Sequence, residues 1–179
     1  MNHDTIMKLD GEHIMLAGIR KLRIKDTDSF IRSIRAVNAR VAIQAVDASF
    51  VADKEHILSV LQQSLQARKK GTMLSNRIEI DILLRLACTN QITKALNDLG
   101  LQDGINNVLI IALGKLTDLK ILKKYLAKNY NLSNNILVLS ERKRRLLSSH
   151  HKVGREELDS CISENKLAGI LTERANLLW

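Results

Sequence analysis

Residues 107–114 read NVLIIALG, apolar at six consecutive positions from Val108 through Leu113. Successive strand side chains point to opposite faces, so an uninterrupted apolar run predicts a strand covered on both faces. Gly114 closes it. A helix follows, with Leu119, Leu122 and Leu126 at helical spacing and Lys120, Lys123, Lys124 and Lys128 mostly on its outer side. Upstream, residues 13–18 (HIMLAG) are short, apolar and end on Gly, which predicts a first strand. Residues 41–46 (VAIQAV), rich in small and branched side chains, predict a second. Between these two, Phe30, Ile31, Ile34, Val37 and Val41 keep a helical period behind Asp26, Thr27 and Asp28, which can cap.

The middle of the chain reads as three helices. Asp53 caps the first, whose stripe is Ile57, Leu58, Leu61 and Leu65. It stops at Arg68, Lys69, Lys70 and Gly71, because cations suit the carbonyl end of the helix dipole and Gly suits the left-handed cap. Ser75 opens the second, which is apolar on nearly every side through Ile78, Ile80, Ile82, Leu83, Leu84 and Leu86 and is therefore expected to be central and buried. Arg77, Asp81 and Arg85 lie four apart along one edge, the spacing of ion pairs. Thr89 or Asn90 starts the third, with Ile92, Ala95, Leu96 and Leu99, stopped by Gly100. Residues 136–139 suit a brief edge strand or a helix start. A final amphipathic helix over about residues 162–179 carries Leu167, Ile170, Leu171 and Leu178. The expected fold is α+β: a two-layer α/β sandwich, with a small mixed or antiparallel sheet and helices packed mainly on one face.

The chain has 179 residues and a mass of 20.2 kDa, enough for one domain with a real core. We expect a flexible N-terminal extension over residues 1–12 and a single α+β domain over 13–179. The longest apolar run is too short to span a bilayer, and the polar start lacks a signal-peptide stretch, so an intracellular protein is expected. Cys88 and Cys161 are the only cysteines, too few for a disulfide framework or a four-thiolate zinc site. Proline is absent and aromatics are 3%, which excludes recognition of single-stranded RNA by rows of aromatic rings.

Lys plus Arg number 28 against 19 Asp plus Glu, a net charge of +9, which favours a polyanionic partner. The cations cluster in Arg20, Lys21, Arg23 and Lys25; in Arg68, Lys69 and Lys70; and in the run Arg142, Lys143, Arg144, Arg145. No catalytic set accompanies them. Gly114-Lys115 resembles the end of a P-loop but lacks the preceding glycine and a following Ser or Thr. His150-His151 has no further ligand at metal spacing and reads as a solvated pair. Cys88, at a helix end, reads as a small buried hydrophobe rather than a nucleophile. Glu79 and Asp81 point to different helix faces and make no acid/base pair. Catalytic residues, metal and cofactor are therefore all expected to be none.

Residues 71–114 read GTMLSNRIEIDILLRLACTNQITKALNDLGLQDGINNVLIIALG. The apolar helix with an acidic residue, the polar turn, the Q-I-x-x-A-L and the apolar strand resemble the PRPK-binding protein family, the small subunit of the KEOPS complex. Residues 41–47, His56-Ile57-Leu58, His151-Lys152-Val153, Glu157-Leu158 and the tail from Ala168 to Leu178 extend the resemblance over nearly the whole chain. The family usually carries Glu where this chain has Asp81, and the turn Cys88-Thr89-Asn90 departs from its pattern. The resemblance implies a non-catalytic cytoplasmic subunit that binds the kinase-like subunit and, through it, the other KEOPS subunits. It also implies that the chain holds the three-prime CCA end of tRNA in support of threonylcarbamoyladenosine formation, with no membrane partner. A stand-alone basic RNA-binding module or a small enzyme is the alternative.

Under that resemblance the expected tRNA contacts are Lys69, Lys70, Ser75, Asn76, Arg77, Thr89, Asn90, Gln91 and Ile92. A basic helix end precedes two helix starts there; helix N-termini offer N–H groups to phosphates, and amides can meet base edges. Ser75, Thr89 and Asn90 have the plainer alternative use of capping helices. The expected contacts to the kinase-like subunit are Ile170, Leu171, Leu177, Leu178 and Trp179, which concentrate apolar surface at the terminus.

Overall fold

A computed structural model describes residues 6–178. In chain order the elements are β1 (Ile6–Leu9), β2 (Glu12–Ile24), α1 (Thr27–Ala36), β3 (Ala42–Asp47), α2 (Lys54–Lys70), α3 (Ile78–Leu86), α4 (Ile92–Leu99), β4 (Gly104–Leu113), α5 (Leu116–Asn129), α6 (Glu141–His150), α7 (Arg155–Ser160) and α8 (Lys166–Asn176). They form two compact units, residues 6–48 with 100–136 and residues 49–99 with 137–178. No composition shift marks the crossings between them, which is why a single domain was the expectation from sequence.

The first unit holds an antiparallel sheet of order β1-β2-β4-β3, and the fold is α+β as the sequence predicts. The run 107–114 falls in β4, between β2 and β3, and Val108, Leu109, Ile110, Ile111 and Ala112 are each fully buried. Burial on both faces, usual in parallel sheets, occurs here in an antiparallel one. One face presents Met15, Ala17, Ile19, Ile43, Ala45, Val108, Ile110 and Ala112 to Ile34 of α1 and to Leu119, Leu122 and Leu126 of α5. Each aliphatic side chain so buried contributes about 1.5–3 kcal/mol. Asp26 starts α1 by accepting from the Ser29 amide at 2.9 Å.

The N-terminal expectation needs correction over residues 6–12. They are no loose extension: Ile6–Leu9 pairs with β2 through Leu9↔Glu12 and Lys8↔His13. The turn residues Asp10 (φ 51°) and Gly11 (φ 90°) are both left-handed, as a two-residue hairpin of matching twist requires. Residues 1–5 lie outside the described residues. β2 also runs well past the expected 13–18, through a bulge. Ile19 pairs with Val108 and Leu22 with Asn106, so Arg20 and Lys21 together oppose Asn107. Lys21 takes φ 52°, and its amide donates to Asn107 Oδ1 at 3.1 Å.

In the second unit α2 begins and ends where its sequence says. Asp53 accepts from the His56 amide at 2.8 Å, and Gly71 closes the helix at φ 69°. α3 packs on α2, α4 and α8, with Ile78, Ile82, Leu83, Leu84 and Leu86 buried. Its start is later than expected: Arg77 occupies the cap position without a side-chain bond, and Ser75 Oγ accepts only from the Arg77 amide at 3.4 Å. Arg77 pairs with Glu79 (Nε–Oε1 2.7 Å) rather than Asp81, whereas the Asp81–Arg85 pair forms. Residues 134–137 make a 3-10 turn in place of an edge strand, α7 had no sequence signal, and α8 is shorter than residues 162–179.

In the first unit the Ser133 amide donates to the Gly18 carbonyl at 2.7 Å and Leu132 bridges Ile19, so residues 131–136 cross the strand directly over Gly18. A Cβ on Gly18 would meet Ile136 Cγ1 at 2.7 Å. Gly18→Ala should therefore lower the unfolding free energy by about 1–3 kcal/mol. Gly154→Ala, where nothing lies within 4 Å, should change it little. Urea titrations of the two variants check this, and an unchanged midpoint for Gly18→Ala would refute the crossing.

Candidate functional site

All nine expected tRNA-contact residues lie in the second unit, but the structure divides them. Lys69, Lys70, Ser75, Asn76 and Arg77 surround the end of α2 and the start of α3; Thr89, Asn90, Gln91 and Ile92 follow the end of α3. The nine residues of α3, a helix about 13–14 Å long at 1.5 Å per residue, lie between the groups. The two ends also differ in chemistry. The first turn of α3 carries Glu79 and Asp81, and the Asp81 carboxylate accepts from the Leu74 amide at 2.6 Å. Both acids put negative charge in the first turn of α3, which makes its N-terminus a poor anion site. The first turn of α4 has no acid, and Asn90, Gln91 and Ile92 are exposed, Ile92 by 47%. Thr89 is buried, and its Oγ1 accepts from the Gln91 amide at 3.3 Å, a turn bond just ahead of α4 rather than a helix cap.

The expected partner residues divide as well. Ile170 and Leu171 are 4% and 0% exposed and belong to a core with Ala52, Leu147, Val153, Leu167 and Ala168. They are corrected from contact residues to packing residues, because the inner stripe of α8 is spent on its own unit. Leu177 is 68% exposed, Leu178 is half-buried, and Trp179 lies outside the described residues. Further exposed apolar side chains of this unit are Ile92 and Leu96 on one face of α4, together with Val138, Leu146 and Ile162.

A buried polar group escaped the sequence reading. His56 on α2 is 1% exposed, with neither ring nitrogen hydrogen-bonded. Burial pushes it down to about 4, and the Lys143 ammonium on α6 adds to the effect. His150 and His151 are not a solvated pair. Their rings meet edge-on at 4.8 Å, His150 also packs on Phe50, and its Nε2 lies 3.6 Å from Asp98. Burial, then the neighbouring His150, holds His151 near 4. Cys88 sits at φ 51° just past α3 with Sγ 3.5 Å from the Leu171 carbonyl, and burial raises its thiol to about 11, which removes nucleophilic character. The sequence signal for this group was only that His56 falls within the apolar stripe of α2.

Among the described residues no three His, Cys, Asp or Glu side chains converge as a metal set, and no helix is long and apolar enough to cross a membrane. The family model of the kinase binding protein CGI-121 matches residues 22–171. The chain belongs to that family. A search of curated proteins returned no match. The match to the CGI-121 family enters within β2 and ends inside α8, so it spans elements of both units. It includes every expected tRNA-contact residue and stops short of Leu177, Leu178 and Trp179. The kinase-binding character of this family agrees with the resemblance drawn from residues 71–114.

The neutral histidines make stability depend on pH. Unfolded, a histidine takes up a proton near pH 6.5; folded, His56 and His151 do so only near 4. The unfolded state binds more protons in that window, so stability falls as pH drops from about 6.5 to about 4 and levels off below. The buried His56 alone accounts for about 3 kcal/mol. Urea titrations from pH 7 to 4.5 should show His56→Leu losing stability less steeply than the parent chain. Parallel curves would mean that His56 is not held neutral.

Proposed function

We propose that this chain is a non-catalytic accessory subunit of a KEOPS complex, which binds the kinase-like subunit and recruits tRNA by its three-prime CCA end. The family match over residues 22–171 carries the kinase-binding part. The net charge of +9 supports the tRNA part, since sequence-independent affinity for RNA comes from cations on phosphates. The start of α4 suits a single-stranded end best among the expected contacts. The Asn90 and Gln91 amides can meet base edges, and Ile92 with Leu96 offers an aliphatic surface in place of aromatic rings. Lys69 and Lys70, at the far end of α3, serve phosphates instead. In this role the chain works in the cytoplasm, and threonylcarbamoyl transfer belongs to another subunit.

Removing the CCA end from tRNA should weaken binding at least tenfold, and Asn90→Ala with Gln91→Ala should remove most of the difference between intact and trimmed tRNA. Equal binding of both tRNAs in a gel shift would defeat the CCA assignment. A stand-alone RNA-binding module would bind RNA but leave the kinase-like subunit alone. For the kinase contact, deletion of Leu177, Leu178 and Trp179 takes away the residues that follow α8, the exposed Leu177 among them, while leaving Ile170 and Leu171 in the core. The shortened protein should stay folded and lose co-purification with the kinase-like subunit. Retained co-purification at unchanged affinity would move the interface elsewhere.

A further inference from the structure

β2 is much longer than its partners. β1 covers it only up to Met15, and β3 pairs with β4 only from Val108 onward. Residues 20–24 of β2 and 104–107 of β4 therefore continue as a two-stranded ribbon beyond the four-stranded sheet. The basic cluster Arg20, Lys21, Arg23 and Lys25 sits on this ribbon, and all four residues are exposed.

The bulge decides where they point. Arg20 and Arg23 are three apart, which in a regular strand places them on opposite faces. The extra residue, Lys21, restores the parity. Ile19, Leu22 and Ile24 all turn to the core face, where Ile19 and Ile24 are buried and Leu22 packs beside them. Arg20, Arg23 and Lys25 consequently share the opposite face, successive same-face positions lying about 6.7 Å apart along a strand. Their strand neighbours on β4, Gly104, Ile105, Asn106 and Asn107, carry no charge. Two exposed acids flank the ribbon in the chain, Asp26 after β2 and Asp103 before β4, and each is engaged at the start of α1. Asp26 accepts from the Ser29 amide and hydroxyl, and Asp103 from the Thr27 amide and hydroxyl at 3.0 and 2.8 Å. None of the four cationic head groups meets a carboxylate among the described residues. Ile105, 66% exposed opposite Arg23, adds an apolar step among the charges.

We infer that this ribbon is a second RNA contact, a track for the phosphate backbone of the tRNA body that is separate from any contact with the CCA end. The inference rests on the RNA-binding reading above and adds a site in the other unit of the chain. A row of cations on one face of the ribbon, with the Asn106 amide bonded to the Gln102 and Gly104 backbone, the Asn107 oxygen accepting from the Lys21 amide, and no aromatic array to read bases, fits a sequence-independent backbone contact.

The test uses the full chain, tRNA with and without its CCA end, and an RNA hairpin with no single-stranded tail. Arg20→Glu with Arg23→Glu should weaken binding of trimmed tRNA and of the hairpin at least tenfold. It should also flatten the slope of log affinity against log salt by about 2, one phosphate contact per reversed residue. Arg20→Lys with Arg23→Lys should keep both. The positions are exposed, so thermal melts of the variants should match the parent. If trimmed tRNA binds the reversed variant with unchanged affinity and slope, the ribbon is not an RNA track, whatever holds the CCA end. If the parent binds only through the CCA end, the track is refuted and the proposed function stands. If the parent binds no RNA, both fall. If the reversal spares RNA binding and abolishes capture of the kinase-like subunit, the ribbon is a protein contact and the inference is wrong.

Discussion

The second unit is organised by one buried ion pair. Asp81 and Arg85 are 0% and 5% exposed, one turn apart on α3, with Arg85 Nε donating to Asp81 Oδ2 at 2.9 Å. Two charges in the interior are costly unless their remaining hydrogen-bonding groups are also satisfied. Here those groups reach into two other parts of the unit. The second oxygen of Asp81 accepts from the Leu74 amide, which fixes residues 71–77. Arg85 Nη1 donates to the Ala175 carbonyl at 3.1 Å, which fixes the last turn of α8. Removing either partner would strand a charge and release a loop and a helix end together. The carboxylate that holds Leu74 also adds negative charge to the first turn of α3, whereas the first turn of α4 carries no acid.

In the first unit the controlling constraint is unequal strand length. A sheet whose central strand β4 is buried on both faces must end somewhere, and it ends by letting β2 and β4 run on together. Beyond Val108 the ribbon has lost its outer strands, so it has little apolar surface left to hide, and its side chains turn polar and basic. The bulge at Arg20 and Lys21 lets the strand keep Leu22 and Ile24 on the core side while the cations gather on the other.

Much of this was legible because it depends on local rules. Consecutive apolar residues marked β4, Asp53 and Gly71 marked α2, and the dense apolar positions of α3 marked it as buried. The β1 hairpin was missed although Asp10-Gly11 is a strong turn signal, because the flanking residues Ile6–Leu9 are too few to show alternation. The start of α3 was misplaced because Ser75 is a good cap by type, while the Asp81 carboxylate, a partner from the next turn, sets the position of the loop. The split of the expected contact residues could not be seen in the sequence: adjacency along the chain says nothing about the helix length that separates Arg77 from Thr89. Ile170 and Leu171 looked available to a partner because a terminal apolar stripe reads the same whether it docks inward or outward. Only the surrounding core decides that.

The formal charge of +9 understates what a polyanion would meet, because the acids and bases are placed differently. Asp26 and Asp53 are spent on helix starts, and Asp103 on the Thr27 amide and hydroxyl. Asp81 is spent on Arg85, Asp118 on Asn38 and Arg40, and Glu157 on Arg174. Asp81 and Asp118 are buried, and the others, though more exposed, are engaged by backbone amides, hydroxyls or single cations. Among the described residues Arg20, Lys21, Arg23 and Lys25 have no such partners, and all four are exposed. Exposed like charges repel, which costs stability unless a ligand of opposite sign is present part of the time. A chain that uses its carboxylates for architecture and leaves its cations in rows therefore presents a more positive surface than its net count gives, and a polyanion placed there would relieve that repulsion.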